Sequence, residues 1–196
     1  MRTPVMDWFE MDAPIFGFSH CPDVVAAISQ NGGLGTFGTS RIPVEQIERD
    51  LGWLATHCSD RPIGFDVVFP SKAPHKFESM TASEIAAMIP KTHFEFVDEL
   101  LRAHGIKPAT PAERETLIAD YVGDRLRTHA QSERRLELAY RYPNVKLVVS
   151  ALGVPPRHQI ERAHELGMKV GALVGHPKHV SRHVEAGVDL LIAAGY

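Results

Sequence analysis

Between residues 145 and 195 three short apolar runs, "VKLVVSALG", "MKVGALVG" and "VDLLIAAG", are separated by two amphipathic stretches, "RHQIERAHELG" and "PKHVSRHVEAG". Runs this apolar read as strands buried on both faces, and a parallel sheet covered by helices is the arrangement that buries them so. Gly167 and Gly187 each stand after a helical stretch and before a strand, where a helix ends in a left-handed residue. This βα rhythm admits two architectures, a doubly wound sheet or a TIM (β/α)8-type barrel, because both are built from right-handed crossovers.

The same rhythm runs through residues 9–70. Phe9, Met11, Ala13 and Ile15 alternate toward Gly17 and predict a first strand. Pro22 opens a helix, "PDVVAAISQ", with Val24, Val25 and Ile28 on one face, and Asn31-Gly32 stops it. "GLGTFG" follows as a second strand, Pro43 starts a helix carrying Val44, Ile47, Leu51 and Leu54, and "RPIGFDVVFP" is a third strand closed by Pro70. Residues 71–143 depart from the pattern: prolines at 74, 90, 108 and 111 divide helical pieces such as "HFEFVDELLRAHG" and "PAERETLIADYVGDRLRTHAQSERRLELAYRY". A crossover needs far fewer residues, so this stretch is a helical elaboration within one domain, residues 1–196, of the kind that covers an active site or makes a dimer contact.

In "QNGGLGTFGTS", Gly33, Gly35 and Gly38 match G-x-G-x-x-G. A dinucleotide fingerprint leaves a strand and enters a helix, so that backbone N–H groups and the helix dipole meet the phosphates. These glycines do the reverse: they leave a helix and run through a strand, and so they read as close backbone packing.

Basic and acidic residues nearly balance, at a formal charge of −3, which leaves no electrostatic footprint for nucleic acid or an anionic membrane and points to a small-molecule partner. Cys21 and Cys58 cannot build a disulfide framework and have no metal-ligand spacing, which fits a reducing, cytoplasmic setting. No apolar run approaches a membrane span, and "MRTPVMDWFEMD" carries acids where a secretory leader needs an apolar core.

Among chemistry-bearing residues, His176, His179 and His183 share one helix face, but no carboxylate or cysteine joins them at ligand spacing. They read as a solvated face, with Val180 and Val184 turned to the core, and no metal is expected. His20 and Cys21 sit in the loop after strand one, on the C-terminal rim where barrel enzymes place their chemistry. Asp66 lies mid-strand in an apolar stretch, where a lone carboxylate is costly unless it faces a polar cavity or ligand. Ser150 ends strand four without a G-x-S-x-G elbow, so it is no hydrolase nucleophile, although its hydroxyl is expected at the rim.

Taken together, "DAPIFGFSHCPDVVAAISQNGGLGTFG", "DRPIGFDVVFP", "VVSALGVPP" and "GMKVGALVGHPKHVSRHVEAGVDLLIAAGY" resemble the nitronate monooxygenase family, formerly the 2-nitropropane dioxygenases. The resemblance covers the chain apart from 71–143. It implies an FMN-dependent TIM barrel that oxidises alkyl nitronates with O2 to a carbonyl compound and nitrite. Ala13, Pro14 and Ile15 match the family's A-P-M, whose backbone lies along the flavin, and Phe16 follows them. Asp66 falls where many members carry an asparagine that hydrogen-bonds the ring; an acid there repels the negative charge of reduced flavin unless it is protonated or solvated. Leu173 and Val174 align with a cofactor-lining rim segment that holds lysine in some members, and Ser150 stands at the same rim.

The resemblance also places the family's base, the histidine of a G-G-H, just beyond Tyr196, so no catalytic residue is assigned within the chain. About six of eight strands are accounted for, and the phosphate-binding loops that follow strands seven and eight lie outside. A chain so composed is expected to be inactive alone and to associate through the edges of strands one and six, leaving a homo-oligomer open. Three rival readings remain: a flavin-dependent enoyl reductase of the same barrel type, a barrel that binds without catalysis and has lost the flavin, and a non-flavin barrel enzyme acting on a phosphorylated metabolite.

Overall fold

Six short strands, each parallel to the next in chain order, form one continuous sheet: β1 (Phe16–Ser19), β2 (Leu34–Gly38), β3 (Ile63–Val67), β4 (Val145–Ser150), β5 (Lys169–Val174) and β6 (Leu190–Ala193). The computed structural model describes residues 2–58, 60–70, 79–122 and 128–194. The helices are α1 (Pro4–Trp8), α2 (Pro22–Gln30), α3 (Val44–His57), α4 (Ala82–Ala87), α5 (Lys91–Ala103), α6 (Pro111–Asp120), α7 (His129–Ala139), α8 (Arg157–Glu165) and α9 (Val180–Ala186). A doubly wound sheet reverses its strand order at a switch point, whereas this order runs 1-2-3-4-5-6 without reversal. The chain is an α/β half-barrel, six strands of a TIM-type wall.

Two apolar cores lie on opposite faces of that wall. On the outer face, Phe37, Phe65, Val67, Val148, Val170 and Ala172 pack against Val25 of α2, Ile47, Leu51 and Leu54 of α3, Leu136 of α7 and Ile160 of α8. On the inner face, Leu34, Leu147 and Val149 meet Met6, Phe9 and Met11, with Leu173, Leu190 and Ile192 against them. Strand residues alternate between the two faces, so membership of one core fixes where each neighbour points.

The glycines of "GGLGTFG" divide along the same lines. A Cβ on Gly35 would overlap the backbone carbonyl of Val25, and one on Gly33 would lie 2.8 Å from the Ile15 carbonyl oxygen. Both are points of close backbone packing, and no helix leaves the strand at Gly38 in the manner of a dinucleotide loop. Gly167 (φ 72°) and Gly187 (φ 97°) end α8 and α9 in the left-handed region, as their spacing predicts.

Three expectations are corrected. The alternation Phe9-Met11-Ala13-Ile15 is not a strand: Pro4 starts α1 after Thr3, the Met11 N–H returns to the Met6 carbonyl at 2.9 Å, and Phe9 and Met11 are buried in the inner core below the strands. β1 begins at Phe16. In α2, Val24 is exposed and Ser29 takes a buried place, its hydroxyl donating to Pro62 O at 2.8 Å and accepting from Gly35 N–H at 3.0 Å. In α9, Val184 is 57% exposed while His183 is 2% exposed, so one histidine of the presumed solvated face is a core residue.

Of the span 71–143, residues 71–78 and 123–127 lie outside the described residues. Its last helix, α7, belongs to the barrel layer, because Leu136 and Ala139 are buried in the outer core. The additional part described is therefore α4 to α6, where Thr81 with Glu84 and Thr110 with Glu113 form capping boxes at the starts of α4 and α6. Arg114 of α6 holds Asp98 of α5 at 2.8 and 3.1 Å and stands 4.9 Å from the centre of the Phe94 ring. No helix among the described residues is long and apolar enough to cross a membrane.

Candidate functional site at the inner rim

Parallel barrels present their chemistry at the C-terminal ends of the strands. On the inner face near that end one register row runs across four strands: Gly38 pairs with Asp66, Asp66 with Val149, and Val149 with Gly171. Glycines thus occupy two of the four places. A Cβ on Gly171 would meet ordinary contacts, the nearest Leu147 Cδ1 at 3.4 Å. On Gly38 a Cβ would run into the Phe18 ring and come within 3.0 Å of His20 Cε1, so two rings occupy the space beside it.

Asp66 is the polar member of the row. It is 5% exposed, and among the described residues no hydrogen bond or ion pair reaches its carboxyl group. Its backbone, by contrast, is doubly satisfied: Thr39 N–H and Thr39 Oγ1 donate to Asp66 O at 3.3 and 2.7 Å, tying the end of β2 to β3. Burial alone pushes the carboxyl up to about 7, because the charged form loses hydration and gains no partner. A buried carboxyl kept near half-protonation at neutral pH can donate an O–H to an acceptor or, once ionised, accept from a donor.

β1 delivers the remaining side chains. Phe18 stands beside Thr36 on the inner face, 58% exposed, and its ring meets His20 edge-on at 5.1 Å. The His20 Nδ1 lies 2.7 Å from Gly38 O. A carbonyl oxygen only accepts, so Nδ1 carries the proton of the neutral ring and Nε2 keeps the lone pair. Cys21, exposed and unbonded as a thiol, caps α2 one residue further on.

The structure redistributes the residues expected from sequence. Asp66 takes the inner face, and Leu173 lies on the same face against the inner core. Ala13, Pro14 and Ile15 precede β1, at the end of the barrel opposite the rim, where Ala13 N–H donates to Gly32 O at 3.1 Å and Ile15 O accepts from Leu34 N–H at 2.9 Å. Phe16 enters β1 at that lower end, its ring 6.0 Å from Phe9 and edge-on to it. The first strand was expected to end at Ile15; in the structure it begins one residue later, at Phe16. Ser150 is fully buried and gives its hydroxyl to Gly153 O at 2.6 Å, closing a turn rather than projecting at the rim. Val174 is buried in the alternation that carries Ala172 of the outer core, so at the rim only its backbone is available.

Phe18 was not singled out by sequence reasoning, and Gly38 only as a member of the G-x-G-x-x-G match. The signal is the alternation "IFGFSH", which continues past Gly17 to the rim. A cleft of about 860 Å³ among α4 to α6, lined by Phe94, Asp98, Arg102, Lys107 and Arg114, takes in none of the rim residues.

A row with glycines at two of its four places and one carboxyl that has no partner among the described residues, beside an exposed aromatic ring, suits a ligand with a polar edge. The pattern of the nitronate monooxygenase family matches residues 7–196. Rv1533 of Mycobacterium tuberculosis, a protein named provisionally as a monooxygenase, is 36% identical over all of this chain, which spans about half (51%) of that relative's length. Among solved structures, a nitroalkane oxidase from Streptomyces ansochromogenes superposes with a TM-score of 0.68 at 20% identity, over 98% of this chain and 49% of its own. FabK from Thermotoga maritima gives 0.61 at 18% identity, over 100% and 44%. These two likenesses carry the fold, and the sequence match carries the family: the chain belongs to the nitronate monooxygenase family.

Proposed function

We propose that the protein is an FMN-dependent oxidoreductase that oxidises alkyl nitronates with O2 to a carbonyl compound and nitrite, and that this chain supplies the inner rim on which the flavin ring lies. The observation that carries the reading is Asp66, a buried carboxyl on the inner face without a partner among the described residues. A group this costly to bury is retained where a ligand completes it. The residues are compatible with the cofactor, since the Asp66 carboxyl, between Gly38 and Val149 in the row, has no partner among the described residues and would meet a polar ring edge.

FMN bound there supplies the electron acceptor for a carbanionic substrate. Asp66, protonated below about pH 7, would hold the ring's polar edge by donating its O–H, without the repulsion that an ionised acid would impose on a negatively charged ligand. Thr39 fixes the backbone of Asp66 and so aims the carboxyl. Phe18, 58% exposed with its ring beside Gly38, would offer an apolar surface to a bound ligand. On β5, the backbone of Val174 and the side chain of Leu173 would border the ring. A cytoplasmic location and a homo-oligomer accord with this reading.

The test uses purified protein expressed from its complete reading frame. Yellow protein that consumes O2 and releases nitrite when given an alkyl nitronate is the expected result. Colourless protein that takes up no FMN would overturn it, as would flavin that bleaches anaerobically with NAD(P)H while nitronate is ignored, the behaviour of an enoyl reductase.

A further inference from the structure

Away from the rim, α4, α5 and α6 enclose a cleft of about 860 Å³, within the range of about 300–1,000 Å³ that small-molecule sites occupy. Helices of a folded domain ordinarily meet along buried apolar stripes. Here none of the described residues from 79 to 122 is buried, and Ala86, Phe94 and Ile118, one from each helix, line the cleft instead of closing it. Capping boxes fix the starts of α4 and α6, and the Arg114–Asp98 pair ties α6 to α5, so the walls are built although the middle is open. Such a group of helices gains stability from an apolar body that fills the space between them.

The charges of the lining say what the body carries. Arg102 and Lys107 both line the cleft, and among the described residues neither side chain has a hydrogen-bonding or ion-pair partner. Arg102 stands in the last turn of α5, and the reversal at Gly105 (φ 71°), where Ile106 N–H donates to Leu101 O at 2.8 Å, keeps Lys107 at that same end. The acids of the lining are Asp98, which Arg114 holds, and Glu115, so the two cations outweigh the acid left over. That balance suits a monoanion better than a dianion. We infer that the cleft binds an amphipathic carboxylate, its apolar chain between Ala86, Phe94 and Ile118 and its head at Arg102 and Lys107. The inference is independent of the nitronate reading, because the cleft takes in none of the rim residues.

The test titrates the full-length protein with dodecanoate below its micelle concentration, read by calorimetry and by backbone amide hydrogen exchange. Dodecanoate is expected to bind and to slow exchange across residues 83–118 while the strands of the wall keep their rates. Neutral 1-dodecanol, which has the chain without the charge, is expected to bind about tenfold more weakly. Arg102 and Lys107 are exposed, so the double variant Arg102→Gln, Lys107→Gln keeps the fold. It is expected to lose about tenfold in affinity for dodecanoate and to bind the alcohol as wild type does. Ala86→Phe, which places a ring in the cleft, is expected to weaken both ligands. Absence of dodecanoate binding would overturn the inference, as would equal affinity for acid and alcohol or protection confined to the strands. Exchange across 83–118 that is already slow without ligand would also overturn it, since another part of the protein would then fill the cleft.

Discussion

Gly38 and Asp66 face each other across β2 and β3, the glycine with no side chain where the acid carries a buried carboxyl. The space beside the glycine goes to the rings of Phe18 and His20 from β1, one strand further out. Gly38, Asp66, Phe18 and His20 thereby gather on one face of the wall, and the one buried charge-bearing group of the four has no partner among the described residues.

The Asp66 carboxyl makes stability depend on pH with a definite sign. Its pKa is about 7 in the folded chain against about 3.9 in an unfolded one, so between those values the native state binds the extra proton. Its contribution is full below about pH 3.9 and is lost as pH rises through 7, a cost that levels off on the order of 4 kcal/mol. Asp66→Asn is neutral throughout. In urea unfolding without flavin, the Asn variant is expected to gain on the wild type from pH 5 to about pH 7 and to level off by pH 8. A constant difference across that range would show that the carboxyl is solvated or partnered.

Close packing makes an equally specific claim about two glycines. Gly35→Ala drives a methyl into the Val25 carbonyl of α2, backbone against backbone, and is expected to cost about 1–3 kcal/mol. Gly171→Ala meets only ordinary contacts, the nearest at 3.4 Å, and is expected to be near neutral. Thermal unfolding of the two variants checks the contrast, and equal losses would contradict it.

At the lower end of the barrel, Asp189 accepts from Val170 N–H at 2.8 Å, Lys169 Nζ at 2.9 Å and His164 Nε2 at 2.7 Å. Burial pushes its pKa up, but the hydrogen bonds from Val170, Lys169 and His164 outweigh that and hold it below the usual carboxylate range. The stability it lends is present above about pH 3.9 and is lost as pH falls through its native value. Asp189→Asn is expected to lower stability at pH 7 by about 1–3 kcal/mol and to flatten the acid limb of the unfolding curve. An unchanged acid limb would place the pH sensitivity elsewhere.

The barrel wall is legible in the sequence because its strands are short apolar runs and its helices carry apolar residues at helical spacing, as at Ile47, Leu51 and Leu54. The choice between barrel and doubly wound sheet is not, since it rests on strand order, which local pattern does not encode. Asp66 is legible as a lone acid in an apolar strand. Its neighbours are less so: Phe9 and Met11 imitate strand alternation while packing beneath the barrel, which shifts the expected strand end from Ser19 back to Ile15 and hides the rim role of Phe18. His183 and Val184 are adjacent, and which of them turns inward is decided by how α9 rotates against its neighbours, against the ranking by hydrophobicity.

The central claim is that Asp66 stands where it does for a flavin ring and not for the fold. Titration of the full-length protein with FMN, for wild type and Asp66→Leu, tests it most directly when thermal unfolding of both is recorded alongside. The account predicts that the wild type binds FMN with a shift of its visible bands, and that the Leu variant unfolds at an equal or higher temperature yet binds at least about tenfold more weakly. Leu variant protein that binds FMN as tightly as wild type, with the same spectrum, would contradict it.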